Sequence, residues 1–370
     1  MRILVIGGIS RSLINFRGQM LESMVSSGHE VYACSGEVEE ECVERLRGIG
    51  VVFHPVDLER RGTSVFRDVR YLRSLKGVIE HVKPDVVLGY TVKPVVYGSI
   101  AAWRCKVPLI AAMITGAGAA QPGRTIKQGI VGRIARALYS ISLRHVDVIF
   151  FQNESDETLF RRYRLIHNSR VVQIAGSGVD NSHYGLTDAI TKPLTFLLIA
   201  RLLVNKGVLD FAAAAMTLRK KYGDRVRFVL VGPFESGNGG ISRHDLESWQ
   251  RSECIEYLGP LDDVRDVMAS ASVYVLPSYR EGTPRTVLEA MSMGRPVITT
   301  DVPGCRETVV DGQNGYLVPV RDPISLANAM ERFITNPHTI AEMGLRGREI
   351  AMSKFDVKKV NAVILKELGL

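Results

Sequence analysis

The chain has 370 residues, of which 46% are hydrophobic and 23% charged, and its 47 Lys and Arg against 39 Asp and Glu leave a net charge of +8. That length suits two domains, each large enough for its own core, and the balance excludes a disordered or fibrous chain. The basic surplus calls for an anionic partner such as nucleic acid, an anionic membrane or phosphorylated ligands. It is concentrated in the first half: residues 1–185 hold 24 basic and 17 acidic residues, and residues 186–370 hold 23 and 22.

Three further classes fall away. The longest uncharged stretch of the basic region, residues 107–123, is 17 residues long and interrupted by Gly116, Gly118, Gln121 and Pro122, too short and too broken for a membrane span. The N-terminus has only a brief apolar run and no cleavage-site pattern, which speaks against a secretory signal. Five cysteines at wide spacing (Cys34, Cys42, Cys105, Cys254, Cys305) fit neither a disulfide framework nor a zinc site. The expectation is a cytoplasmic protein.

Along the chain, short β-branched apolar runs alternate with helical stretches. Strands are predicted at 3–6, 31–33, 51–53, 86–88, 109–112, 148–151 and 171–174, and then at 195–200, 227–231, 255–258, 273–276 and 296–299. Such alternation predicts parallel sheets covered on both faces. The break near residues 180–193 reads as a linker between two doubly wound domains, and the chain beyond about Asp322 reads as mostly helical. Ligands of open parallel sheets sit beyond the carboxyl ends of the strands, so the loops after the strands carry the chemistry.

The first such loop is Gly7-Gly8-Ile9-Ser10. Paired glycines let a backbone turn tightly and approach a ligand, although a plain tight turn fits this loop as well. The dinucleotide fingerprint G-x-G-x-x-G is absent here, and residues 116–121 miss it at the last position, which disfavours a Rossmann dehydrogenase. Between Asp85 and Asp147 there is no acidic residue, while Lys93, Arg104, Lys106, Arg124, Lys127, Arg133, Arg136 and Arg144 all fall there. Within this window, residues 124–146 read as an amphipathic helix, whole or broken once. Ile130, Val131, Ile134, Leu138 and Ile141 share one face, with Arg133, Arg136 and Arg144 beside it. A basic amphipathic helix suits a membrane surface. A core-packing helix with solvated arginines is the alternative.

In the second half, Arg201 and Lys206 follow a strand and are placed to clamp a diphosphate; surface solvation is the ordinary fate of such cations. The richest segment is residues 273–297. A buried strand ends at Pro277, a helix is expected to start near Pro284 as its first residue, and Gly294 ends it. Backbone amides from Gly282 to Arg285, with the helix dipole, favour an anion. Glu281 and Glu289 bracket the turn with seven residues between them. A carboxylate among the apolar neighbours of Glu289 needs a partner: either ribose hydroxyls or a nearby arginine, with Glu281 in the second case a solvated loop charge.

Taken together, Glu281-x7-Glu289, Arg201…Lys206-Gly207, Gly7-Gly8 and the two-domain order resemble the retaining glycosyltransferases of the GT-B fold, family 4, over nearly the whole chain. The segments Tyr279-Arg-Glu-Gly-Thr-Pro-Arg285, Asp301-Val-Pro-Gly-Cys-Arg-Glu307, Tyr90-Thr-Val-Lys-Pro94 and Ile114-Thr-Gly116 are similar to a bacterial group that builds capsule, O-antigen and other lipid-linked oligosaccharides. The resemblance implies an α/β GT-B chain: two doubly wound Rossmann-like parallel-sheet domains facing across a cleft. An acceptor-binding domain would span 1–185 and a nucleotide-sugar-binding domain 186–350, with a C-terminal helix at 351–370 crossing back to the first.

It further implies catalytic roles for Glu281, Arg201 and Lys206, the two cations holding the diphosphate. Glu281, Gly282, Thr283 and Pro284 would face the donor sugar and its phosphate, Glu289 the ribose and the Leu258 backbone the base. Gly7 and Gly8, counted with the donor site, would border the transferred sugar together with Thr115 and Gly116 on the acceptor side, where Lys93 also belongs. A histidine that many members carry near the reaction centre is missing from residues 113–118.

The implied reaction is metal-independent, cofactor-free transfer of a sugar, such as a UDP-linked hexose or amino sugar, with retention of configuration. No Asp-x-Asp triplet occurs in the chain. The acceptor would be a polyprenyl-diphosphate-linked saccharide at the inner face of the cytoplasmic membrane, touched through Arg133, Arg136 and Arg144. The alternatives are a soluble enzyme acting on a free sugar or small metabolite, and a non-catalytic nucleotide-sugar-binding protein. Nucleic acid is disfavoured, since only Trp103 and Tyr139 interleave the central basic charges.

Overall fold

Strand β1 (Arg2–Ile6) is buried from Ile3 onward, and its alternate residues join different cores. Ile3 and Val5 pack in one cluster, Leu4 and Ile6 in another. That two-sided burial is what a parallel strand covered by helices on both faces requires. The computed structural model describes residues 1–59, 64–120, 126–237 and 239–370. Met1–Ser177 with Lys359–Leu370 form one compact unit, and Gly178–Lys358 form a second.

In the first unit, β1, β2 (Glu30–Ser35), β3 (Val52–Pro55), β4 (Val86–Tyr90), β5 (Leu109–Ile114), β6 (Val148–Phe151) and β7 (Arg170–Gln173) build one sheet. Its order is β3-β2-β1-β4-β5-β6-β7, and every pairing is parallel. The connecting helices are α1 (Ser10–Ser26), α2 (Glu40–Gly48), α3 (Val65–Val82), α4 (Val92–Arg104), α5 (Ile126–Ser142) and α6 (Glu154–Arg162).

In the second unit, β8 (Leu194–Ile199), β9 (Val226–Val231), β10 (Glu256–Tyr257), β11 (Val273–Leu276), β12 (Val297–Thr300) and β13 (Gly315–Val318) are ordered β10-β9-β8-β11-β12-β13, again all parallel. Its helices are α7 (Val208–Tyr222), α8 (Arg243–Arg251), α9 (Arg265–Ala269), α10 (Arg285–Ser292), α11 (Pro323–Thr335) and α12 (Thr339–Lys354). The chain ends in α13 (Val357–Leu368), whose Val360, Ile364 and Leu368 pack into the cluster of Ile3 and Val5.

Two strands differ from the sequence expectation. The run at 255–258 pairs only through Glu256 and Tyr257; it lies at the sheet edge, and Leu258 is exposed. Strand β13 was not expected. It is four residues long and follows Asp311-Gly-Gln-Asn314, a run of turn-forming types that masks the register Thr299↔Leu317.

In each sheet the winding reverses once, between β1 and β4 and between β8 and β11. Loops at the carboxyl ends of strands flanking such a reversal are where open α/β sheets bind ligands.

Candidate active site

In the second unit, the loops after β8 and β11 flank the reversal and pack directly on each other. Gly207 has φ +73, and a Cβ there would stand 2.0 Å from the Pro277 carbonyl oxygen. The Tyr279 amide donates to the Asn205 carbonyl at 2.9 Å, and the Ser278 hydroxyl donates to the same carbonyl at 3.2 Å. These contacts fix the approach of Lys206 to Glu281. Its Nζ lies 2.5 Å from Glu281 Oε1, with the two side chains only 20% and 13% exposed. Glu281 is therefore a shielded, paired carboxylate and not a solvated loop charge. Arg201 is held more loosely, its Nη1 3.5 Å from Glu235 Oε1 and its side chain 47% exposed, so its charge can be shared with an incoming anion.

The loop after β12 supports the same turn. The Thr299 hydroxyl donates to the Leu276 carbonyl at 2.7 Å, and the Thr300 hydroxyl donates to the Ser278 carbonyl. Gly304, at φ +86, lies against the Glu281 and Gly282 carbonyls, and its amide donates to Glu307 Oε2 at 2.6 Å. Pro284 has φ −73 and ψ 109, so it is the extended residue before α10 and not its first helical residue. Gly282 and Thr283 are accordingly loop residues, and the helix starts at Arg285.

Glu289 is buried in α10, with Arg285 Nε 2.8 Å from its Oε1 one turn earlier. The Tyr184 hydroxyl is also hydrogen-bonded to it. Burial pushes its carboxyl up, while Arg285 and Tyr184 pull it down. The structure thus supplies the arginine partner. A carboxylate has about four acceptor positions, so these two partners leave part of its hydrogen-bonding capacity unused. Leu258 donates its amide to the Leu230 carbonyl at 3.0 Å and ends the edge strand with an exposed side chain.

A supporting group that sequence reasoning missed is Asp210, near the start of α7. The Tyr279 hydroxyl and Arg321 hold its carboxylate, which burial pushes upward in pKa. The Arg321 guanidinium stands 4.9 Å over the Tyr279 ring. Its only sequence signal is an acidic residue in the first turn of an alanine-rich helix.

Two family models match the chain: one described as "Glycosyl transferase 4-like domain" at residues 15–176, the other as "Glycosyl transferases group 1" at residues 193–336. The chain belongs to the GT-B glycosyltransferases, family 4. Among relatives, it is 26% identical over 340 residues to the N,N'-diacetylbacillosaminyl-diphospho-undecaprenol alpha-1,3-N-acetylgalactosaminyltransferase of Campylobacter jejuni, covering 88% of each chain. It is 25% identical over 315 residues to the UDP-Gal:alpha-D-GlcNAc-diphosphoundecaprenol alpha-1,3-galactosyltransferase of Escherichia coli, covering 81% of this chain and 79% of that one. The fold is similar to that of Anabaena HepE, solved with UDP and glucose, at a TM-score of 0.78, 18% identity and coverage of 100% and 99%.

In the first unit, Gly7 and Gly8 follow β1, and Thr115 and Gly116 follow β5. Both strands pair with β4, so these residues stand at the carboxyl edge beside the reversal. What fills the space over Gly7 is Tyr90: a Cβ would lie 2.5 Å from its hydroxyl. That phenol is buried, bonds Ser12 Oγ at 2.6 Å and is pushed up to about 12 by burial. The glycine is needed first for protein packing.

Lys93, expected on the acceptor side, is engaged within the protein. Its Nζ is 2.8 Å from Asp68 Oδ1 and donates to the Glu59 carbonyl at 2.8 Å, because α3 places Asp68 against α4. Beside it the structure shows a residue to which no role was assigned. Thr91 alone connects β4 to α4, at φ +70 and ψ 166. That is glycine's region, and a non-glycine residue there costs roughly 1–3 kcal/mol. The residue type signals none of this.

Helix α5 realises the amphipathic segment and ends in a turn at Leu143–His145; Gln121, Pro122 and Arg124 lie outside the described residues. Its apolar face is only partly core: Leu138 packs against the first unit's cluster. Ile130, Val131, Ile134 and Ile141 are exposed, and so are Arg133 and Arg144. Arg136 departs from this group: its Nη1 donates to the Ala120 carbonyl at 2.9 Å, and its guanidinium stacks 4.4 Å over the Tyr163 ring. The Arg136→Ala variant is expected to lose about 1–2 kcal/mol of stability and to bind anionic vesicles as the wild type does, as denaturant titration and co-sedimentation would show. Among the described residues no helix is long and apolar enough to cross a membrane.

Proposed function

We propose that this glycosyltransferase moves a sugar from a nucleoside diphosphate, with UDP-linked hexoses and amino sugars the first candidates, onto a polyprenyl-diphosphate-linked saccharide in bacterial surface-polysaccharide or glycan assembly. The observation that carries the reading is the shielded pairing of Lys206 with Glu281 at the second unit's reversal, with Arg201 following the same strand β8 and Glu289 on the adjoining helix. The named relatives from Campylobacter jejuni and Escherichia coli act on diphospho-undecaprenol-linked sugars, which favours this acceptor over a free sugar.

Transfer proceeds with retention by front-face substitution. The bond from the anomeric carbon to the diphosphate oxygen breaks, the acceptor oxygen bonds to that carbon on the same face, and the acceptor proton passes to the departing phosphate oxygen. Lys206 and Arg201 stabilise the charge that develops on the diphosphate. Glu281 and the Gly282–Pro284 backbone orient the sugar and its phosphate, Glu289 takes the ribose hydroxyls and the Leu258 backbone meets the base. On this reading no metal ion is needed, because Lys206 and Arg201 supply the positive charge that a metal would bring. The exposed Ile134 and Ile141, flanked by Arg133 and Arg144, rest the first unit on an anionic membrane surface.

The test is transfer followed by mass spectrometry, with UDP-galactose, UDP-N-acetylglucosamine and UDP-N-acetylgalactosamine as donors. Acceptors are farnesyl-diphospho-N-acetylglucosamine and free N-acetylglucosamine. Transfer to the lipid-linked acceptor alone, undiminished by EDTA, is the expected result. Transfer only to the free sugar selects the soluble-acceptor alternative, and loss with EDTA refutes metal independence.

A further inference from the structure

The connection from β4 to α4 holds one residue, Thr91. Tyr90 before it is fixed by the contact over Gly7 and by Ser12. After it, the Val95 amide donates to the Thr91 carbonyl at 3.0 Å, so the helix is already closing. Reversing from strand to helix in one residue forces φ +70 and ψ 166, for which glycine is the unstrained choice. The threonine side chain does nothing local to offset this: it makes no hydrogen bond to the first turn of α4 and is exposed. A strained strand-to-helix turn that lifts one hydroxyl above the carboxyl edge of a sheet is a known way of presenting a reactive or orienting group. Lys93, two residues on, is engaged by Asp68 and Glu59, which leaves Thr91 as the exposed polar group of this turn.

We infer that Thr91 contacts the acceptor saccharide and orients its attacking hydroxyl, a role that rests on the acceptor reading above. The Thr91 hydroxyl offers one donor and two acceptor positions, which suits a sugar hydroxyl that must present a lone pair to the anomeric carbon while its proton is held.

Three variants separate this role from a structural one, each assayed with a UDP-sugar donor and farnesyl-diphospho-N-acetylglucosamine. Thr91→Gly is expected to melt about 2–6 °C higher, since strain is relieved, yet to lose at least about tenfold in kcat/KM for the acceptor, with the donor KM within about twofold. Thr91→Val, which keeps the β-branch and removes the hydroxyl, should show the same kinetic loss without the rise in melting temperature. Thr91→Ser should retain at least about a third of wild-type kcat/KM. Wild-type kinetics in Thr91→Gly or Thr91→Val overturn the inference, as does an equal change in donor and acceptor KM. If the wild type transfers sugar to free N-acetylglucosamine alone, or to neither acceptor, the acceptor reading fails and takes this inference with it; wild-type transfer to the lipid-linked acceptor with unaffected variants sinks this inference alone.

Discussion

Replacing Lys206 with alanine is expected to lower kcat about 100- to 1,000-fold, the range seen when one preorganised group facing developing negative charge is removed. Lys206 is held by a short turn that Gly207 presses onto Pro277, and its Nζ already lies 2.5 Å from a carboxylate in a mostly shielded site. On the proposed reading, a cation so placed needs little reorganisation as the diphosphate departs. The substitution also strands Glu281, and breaking a shielded pair is destabilising by as much as about 3 kcal/mol. The double variant Lys206→Ala/Glu281→Gln removes the stranded charge. It should regain most of the melting temperature and none of the turnover. Single-turnover kinetics beside thermal melts distinguish the two effects, and recovery of turnover in the double variant would assign the loss to the orphaned carboxylate instead.

Placing alanine at Gly304 is the second large effect, although this residue has no functional group. Its φ of +86 strains any side chain, and a Cβ would stand 2.0 Å from the Gly282 oxygen and 2.6 Å from the Glu281 oxygen. The loop after β12 must then lift away from the backbone that carries Glu281. A displacement of about 1 Å at a positioning element costs about 100-fold in rate, and the strained backbone alone costs about 1–2 kcal/mol. The expected result is a folded protein with a lower melting temperature and at least about 100-fold lower kcat/KM for donor and acceptor alike. Activity within threefold of wild type would show that the loop after β12 does not set the geometry of Glu281.

Much of this was readable in the residues, for identifiable reasons. Isolated β-branched runs between helical stretches predict a parallel sheet, and alternate burial in β1 follows from the two-residue period of a strand. Arg201, Lys206, Glu281 and Glu289 stood out because each lies after a strand or within one short motif. What the sequence hid depends on partners distant along the chain or on backbone shape. Nothing next to Lys93 in the chain announces its partner Asp68, 25 residues away, which α3 brings within 2.8 Å. Arg136 reads like Arg133 until Ala120 and Tyr163 close on it. Thr91 has an unremarkable side chain, and its meaning lies in dihedral angles that no residue type announces. The amphipathic period of α5 could not tell which apolar residues pack inward: Leu138 joins the core, while Ile134 and Ile141 stay exposed.

The central claim, that the second unit's loops hold a nucleoside diphosphate through Lys206 and its neighbours, is tested most directly by thermal melts of the wild type and Lys206→Ala with UDP, GDP and dTDP. A nucleotide at about 100 times its Kd stabilises the fold it binds by about 2.7 kcal/mol. One of the three should raise the wild-type melting temperature by several degrees and raise that of Lys206→Ala far less. No shift with any of them, or the same shift in both proteins, would contradict the account.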